Sequence, residues 1–226
     1  MQSSQDKAFL VVGFSDGRVK AWGRNGCGAV HTAQAARQHK SVVRHVAVSV
    51  GGDGFYAAVS GSDDGTLGLR TYACSERGAR GQRAGSGDAV LLSAAKTLRG
   101  HGVSITSMDI SPTHRERLWV ASGGADGRCK VWEAGQGQCV FNARADRCGK
   151  VASLALVEPW ASVREDGASG VLGGVGGGWV PLVVAGMAAG VVNLYDIRVP
   201  AGYHGGRAAL VASLCRSGGG GGVARV

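Results

Sequence analysis

Three stretches of this chain superimpose without a gap, and self-similarity of this kind marks a fold made of repeated small units. Val12 to Trp22 reads VGFSDGRVKAW, Ser60 to Arg70 reads SGSDDGTLGLR, and Ser122 to Trp132 reads SGGADGRCKVW. A weaker fourth copy runs from Ala185 to Tyr195 as AGMAAGVVNLY. In each, an apolar run meets a turn and then alternating residues that close, in most copies, on an aromatic. Asp-Gly between such runs predicts a hairpin, because glycine accepts positive φ at a tight turn. Val19 and Ala21 alternate with Lys20, and Val131 follows Lys130, so the flanks read as strands.

A further strand is predicted upstream of the later hairpins. His39 is followed by Val43, Val46, Val48 and Ser49, and His101 by Ile105, Met108, Ile110 and Ser111. The interval from His39 to Ser60 is 21 residues, and so is that from His101 to Ser122. A strand is also expected after each hairpin, at Ala29 to Thr32, Val90 to Ser93, Gln138 to Asn142 and Ala208 to Leu214. The unit is therefore a four-stranded antiparallel sheet. The spacings between turns are 48, 62 and 63 residues, the last two lengthened by inserts at 73–88 and 161–178. Without them the period falls near the roughly 40–45 residues of a propeller blade.

These residues resemble the WD-repeat family. The best copy runs from Leu98-Arg99-Gly100-His101 through Ile105 to Pro112 and on to Ser122 to Trp132, with Glu133 where the family has Asp. The resemblance implies an all-β fold, a partial β-propeller of about four WD-repeat blades, each a four-stranded antiparallel sheet. The blades are placed at about 8–38, 39–100, 101–146 and 147–216, followed by a Gly-rich tail at 217–226. Only Met1 to Lys7 precede the first apolar run, which leaves little room for an opening strand there. Seven blades would need about 290 residues. The expectation is an incomplete propeller: a truncated chain, a fragment, or a half-ring closed by a partner, with a closed four-blade ring as the less favoured alternative.

The resemblance also implies a buried hydrogen-bond chain. Asp126 would accept from His101, His101 would bond Ser122, and Ser122 the Trp132 indole. In the second copy His39, Ser60 and Asp64 are present, but Arg70 replaces Trp; in the first, Asp16 and Trp22 are present, but Val12 replaces Ser. Arg147, Ala185, Ala189 and Tyr195 hold the positions in the fourth, where no chain can form. Ser122, His101 and Asp126 are thus a signature of fold, and no catalytic residue is assigned.

Other chemistry finds little support. There is no Gly-x-x-x-x-Gly-Lys-Ser/Thr loop, and Gly85-Ser86-Gly87 and Gly135-Gln136-Gly137 lack the third glycine of a dinucleotide loop. No Gly-x-Ser-x-Gly elbow occurs. The six cysteines show no Cys-x-x-Cys pair or zinc spacing and read as reduced, partly buried thiols. They suit a reducing compartment, so the expected address is intracellular, cytoplasm or nucleus. No cofactor or metal is expected, and a small-molecule ligand is disfavoured. Met1 to Gly13 lacks the basic start of a signal peptide. Gly167 to Tyr195 is uncharged and long enough to span a bilayer, but its glycines, Pro181 and Asn193 favour strands behind an insert.

Binding remains. The net charge of +9 favours acidic partners. By resemblance, contacts lie three and five positions after the histidine and just before the turn Asp. These are Val42 and Arg44, Ser104 and Thr106, Lys150, and then Ser15, Asp63 and Ala125. The expected function is a non-enzymatic protein-binding scaffold or adaptor. One alternative is an RNA-contacting component of a ribonucleoprotein assembly, through the insert bearing Arg77, Arg80 and Arg83. Another is a substrate receptor of a cullin-based ubiquitin ligase, because Tyr195-Asp196-Ile197-Arg198 is similar to the Trp-Asp-x-Arg of such receptors.

Overall fold

The computed structural model describes residues 1–4, 9–24, 30–50, 55–74, 89–91, 96–111, 118–145, 148–157, 182–197 and 210–215. All regular elements among them are strands. The first sheet holds β1 (Gln2–Ser3), β2 (Phe9–Gly13), β3 (Arg18–Arg24) and β4 (Val30–Arg37) in that order. The second holds β5 (Val43–Val50), β6 (Phe55–Ser62), β7 (Thr66–Cys74) and β8 (Ala89–Leu91), with β9 (Lys96–Arg99) also on β7. The third runs β10 (Ile105–Ile110), β11 (Trp119–Gly124), β12 (Arg128–Glu133) and β13 (Gln138–Arg144). The fourth runs β14 (Val151–Val157), β15 (Leu182–Met187), β16 (Val191–Asp196) and β17 (Leu210–Cys215). Every neighbouring pair is antiparallel. The fold is all-β, and the chain is a partial propeller of four-stranded blades.

Two details differ from expectation. The opening strand of the first sheet exists as the two-residue β1, pairing Gln2 with Val11 and Ser3 with Leu10. The outer strand of the second sheet, expected at Val90 to Ser93, is divided. Ala89–Leu91 pairs with Tyr72, Ala73 and Cys74, while Lys96–Arg99 pairs with the other end of β7, Thr66 to Leu69. At nine residues, β7 is longer than a three-residue strand can cover. Leu98, paired with Leu67 and fully buried, anchors the second piece.

The alternation of each strand decides where its apolar side chains go. Phe9, Val11, Val19 and Ala21 leave the first sheet and pack on Val43, Tyr56, Ala58 and Tyr72 of the second. Val59, Leu67, Leu69 and Leu98 of the second meet Ile105, Val120, Trp132 and Ala134 of the third. Trp119, Ala121, Cys129, Val131, Phe141 and Ala143 of the third meet Val151, Leu154, Val183, Ala185, Met187 and Tyr195 of the fourth. Among the described residues the core is thus three separate seams, each between successive sheets, as in proteins whose repeats touch only their neighbours.

The hairpin corners tie these seams together. In each sheet the turn glycine donates to the carbonyl three residues back: Gly17 to Phe14, Gly65 to Ser62, Gly127 to Gly124 and Gly190 to Met187. Their φ angles are 85, 77, 73 and 80°. In the first three, the turn Asp accepts from the backbone N–H two residues on, at 3.0 Å for Asp16, 2.9 Å for Asp64 and 3.0 Å for Asp126. Gly65 also lies against the loop that opens the third sheet. A Cβ there would stand 2.5 Å from the His101 carbonyl oxygen and 2.9 Å from that of Val103. Replacing Gly65 with Ala is therefore expected to lose roughly 2 kcal/mol or more, left-handed strain added to a backbone clash. Thermal unfolding of Gly65→Ala measures it, and an unchanged midpoint would contradict the contact.

No helix of the described residues is long and apolar enough to cross a membrane. The uncharged stretch tested above contributes strands β15 and β16; its residues before Leu182 lie outside the described residues.

Candidate functional site

The four-residue constellation falls inside the third sheet. The Trp132 indole N–H donates to Ser122 Oγ at 2.8 Å, and Ser122 Oγ lies 2.9 Å from His101 Nε2. The indole N–H can only donate, which frees the Ser122 hydroxyl proton for Nε2. With Ser122 donating to Nε2, the His101 proton sits on Nδ1, on the side of Asp126. Nδ1 stands 4.0 Å from Asp126 Oδ1, too far for the hydrogen bond implied by the resemblance, and it is buried without a hydrogen-bond partner. Asp126 instead holds its own turn through the Arg128 amide and lies 3.6 Å from the Arg128 guanidinium.

The second sheet shows what closes that gap. There Thr66 Oγ1 donates to Asp64 Oδ1 at 2.6 Å and stands 2.8 Å from His39 Nδ1. His39 Nε2 meets Ser60 Oγ at 2.7 Å. The hydroxyl of Thr66 relays between His39 and Asp64, which are themselves 3.8 Å apart. Arg128 occupies the matching place in the third sheet and has no hydroxyl to offer. Arg70, at the Trp position, turns to Gln38 Oε1 at 2.8 Å, away from Ser60. In the first sheet Asp16 pairs with Arg18 at 2.9 Å, and Trp22 lies under Lys20 Nζ, 5.0 Å from the ring centre. Thr66 and Gln38 escaped the sequence reading, although a Thr two residues after a turn Asp is a readable signal.

Ser122 is 0% exposed and His101 is buried, so no substrate reaches this group. Burial, opposed by Asp126, pushes the His101 pKa down to about 4, and it lowers His39 as well against the pull of Asp64. Both rings are neutral near neutral pH. Burial also pushes the Cys129 thiol up to about 12, leaving an unreactive sulfur. Cys129, Cys139 and Cys148 are free thiols.

A different set of side chains meets open space. A cleft of about 340 Å³ lies where the opening strands of the second, third and fourth sheets begin, lined by Arg44, His45, Asp63, Ser104, Thr106 and Lys150 among others. The backbone explains this convergence. The pairing of β5 with β6 skips from Val43 to His45, that of β10 with β11 from Ile105 to Ser107, and that of β14 with β15 from Val151 to Ser153. Each skip leaves one bulged residue, and the three are Arg44, Thr106 and Ala152. A bulge re-aims its side chain, and all three line the cleft.

The cleft is prepolarised. Arg44 Nε donates to Asp63 Oδ2 at 2.8 Å, and the Ser104 hydroxyl donates to Asp63 Oδ1. The Ser104 hydrogen bond, with Arg44, holds the Asp63 carboxyl below its ordinary range. Thr106 Oγ1 donates to the Val151 carbonyl, joining the third sheet to the fourth. Burial and the Arg44 charge keep His45 below its ordinary pKa. Lys150 is exposed and forms no ion pair among the described residues.

Not every expected contact residue converges. Arg44, Asp63, Ser104, Thr106 and Lys150 line the cleft; Val42, Ser15 and Ala125 are not among its walls. Val42 offers its carbonyl to Asp63 N, and Ala125 N donates to the Ser104 carbonyl, so both hold backbone at the rim. His45 was missed because it reads as an ordinary strand residue; only the bulge beside it brings it to the opening. Of Tyr195, Asp196 and Arg198, the first is buried and packs on Phe141, and Arg198 lies outside the described residues. Arg77, Arg80 and Arg83, the RNA-contact expectation, also lie outside them.

The family model of the WD domain, G-beta repeat, matches residues 93–133. That span begins before β9 and ends at Glu133, taking in the Trp132–Ser122–His101 group. No curated protein matches the chain.

Proposed function

We propose that this chain, a WD-repeat protein, is a non-enzymatic adaptor that grips an acidic peptide segment of a protein partner at the cleft between its second, third and fourth sheets. WD repeats in general mediate protein–protein interaction, typically without catalysis. The observation that carries the finer reading is the charge of the cleft. Two cations, Arg44 and Lys150, face one carboxylate, Asp63, and both oxygens of Asp63 are already engaged by Arg44 and Ser104. One positive charge is left in excess at the opening. His45 adds none near neutral pH, because its pKa is lowered. A carboxylate-bearing segment lying across the opening supplies the missing partner for Lys150 and a second acceptor for Arg44.

The same arrangement argues against Asp63, Ser104 and Thr106 as a base or nucleophile. A general base needs a free oxygen or nitrogen aimed at its proton. The Asp63 oxygens are both committed, and the hydroxyls of Ser104 and Thr106 donate to Asp63 and to a backbone carbonyl.

Fluorescence anisotropy with a labelled Asp/Glu-rich peptide tests the reading. Lys150→Glu is expected to weaken binding by about tenfold, on the order of 1.4 kcal/mol, by replacing attraction with repulsion. Lys150 is exposed, so the melting temperature of the variant should match that of the parent chain. Equal affinity of the two proteins, or no binding by the parent, would overturn the proposal.

A further inference from the structure

The cleft wall holds a third side chain able to become a cation, and we infer that an acidic segment bound there is gripped together with a proton taken up by the His45 ring. This rests on the acidic-peptide reading of the cleft and adds its regulation. The ring's position follows from the backbone. The skipped register after Val43 leaves His45 paired with Gly61. A Cβ on Gly61 would stand 2.9 Å from Ile105 Cγ2 and 3.0 Å from Met108 Sδ, so that side of the pair looks toward the third sheet. Residues paired across two strands share a face. His45 accordingly joins Ile105 and Thr106 in the cleft wall. It is half-buried there, with the Thr106 backbone beside it and the opening in front.

The groups around the ring come from several elements. Its own strand supplies Arg44, the corner between β6 and β7 supplies Asp63, and the start of the fourth sheet supplies Lys150. The Met1 amino group acts on it from the side of β1. β2, which also packs on β5, has no titratable side chain. Tyr56 of β6 pairs with Val50 at the far end of the strand, and Asp109 of β10 accepts from the Leu156 amide. Three cations thus surround the opening with one carboxylate, and both oxygens of that carboxylate are engaged by Arg44 and Ser104. Burial and Arg44 oppose a proton on His45, while Asp63 and the Thr106 backbone favour it. In the free chain the first pair prevails, and the ring is neutral near neutral pH.

An acidic occupant reverses the balance. A carboxylate at the opening lies among Arg44, Lys150 and His45 at once. An opposite charge within about 4–6 Å favours the charged form of a group by roughly one pKa unit or more. The bound chain then holds a proton at His45 over a pH range in which the free chain does not. Affinity therefore rises as pH falls below neutral, and it levels off once the free ring also titrates, below 6.5. The carboxylates of the occupant, with ordinary values of about 4, stay ionised across this range. So does Asp63, whose pKa is lowered.

Calorimetric titration of the chain with an Asp/Glu-rich peptide tests this. Runs at pH 6.5 in two buffers of different ionisation enthalpy count the protons taken up. A fraction of one proton per bound peptide is expected, with affinity about threefold stronger at pH 6.0 than at pH 7.5. In His45→Gln both the uptake and the pH slope should vanish. The variant keeps every other titrating group, His101 included, so the difference between the two proteins belongs to His45. Binding with no proton uptake and no pH slope overturns the inference and leaves the acidic-peptide reading standing. Uptake and slope equal in parent and variant overturn it too. No binding of the peptide at any pH overturns both.

Discussion

Trp132→Ala is expected to cost about 3–5 kcal/mol, enough to unfold a large part of the population of a chain of ordinary stability. Trp132 is 2% exposed and fills the seam between the second and third sheets, with its ring edge against Gly100. Truncation removes that packing and also strips Ser122 Oγ of its indole donor in a site that is 0% exposed. Because each sheet leans only on its neighbours, the damage should cut the array in two rather than soften it evenly. Urea unfolding followed by circular dichroism reads the loss. Trp132→Phe separates the two contributions: it keeps part of the ring packing and should lose less, about 1–3 kcal/mol, mainly for the Ser122 oxygen left without its donor. Equal losses for Ala and Phe would mean that the ring packs far less well than its burial indicates.

Acidification from pH 7 to pH 4 should remove about 3 kcal/mol through His101 alone, the stability equivalent of lowering its pKa from 6.5 to about 4. The direction follows from which state takes the proton first. Between those two values the unfolded chain binds a proton at His101 that the folded chain refuses. The contribution is therefore fully present above pH 6.5 and is lost as pH falls toward the folded value. The cause is structural: the ring is sealed in, Nε2 is already engaged by Ser122, and Asp126 stands too far off at 4.0 Å to stabilise the imidazolium fully. His39 is lowered too and acts in the same direction. Urea midpoints measured across this range check the slope. His101→Gln removes the titrating group, and its stability should fall less steeply with acid. A variant slope equal to that of the parent would place the effect elsewhere.

The parts of the fold that follow from local chemistry were readable from residues alone. Asp16-Gly17, Asp64-Gly65 and Asp126-Gly127 announce their corners because no other residue pair combines a capping carboxylate with a free positive φ. The strands around them declare themselves by alternation. The division of the second sheet's outer strand was not readable, since Ala89–Leu91 and Lys96–Arg99 become one edge only by pairing with opposite ends of β7. The site shows the same limit. His101, Ser122 and Trp132 could be named from spacing, but not the 4.0 Å that separates His101 from Asp126, which depends on what stands two residues after the Asp. Thr66 bridges that distance in one sheet and Arg128 leaves it open in the other. Arg44 and Thr106 were legible as cleft residues only through family resemblance, because skipped registers set where they point, and no residue type encodes a skipped register.

Those skipped registers have a consequence for how such a molecule can change. Arg44, Thr106 and Ala152 stand at one and the same step of three otherwise equivalent sheets, yet they are a cation, a hydroxyl and a methyl group. A residue outside the ladder has no partner opposite it whose size or charge it must match. Its neighbours Val43, Ile105 and Val151 are buried, and they have stayed apolar and branched. The array thus sets variable letters inside an invariant grammar. On the proposed reading of the cleft, mutation at these three steps is expected to change what the opening attracts while leaving the pairing of every strand as it was.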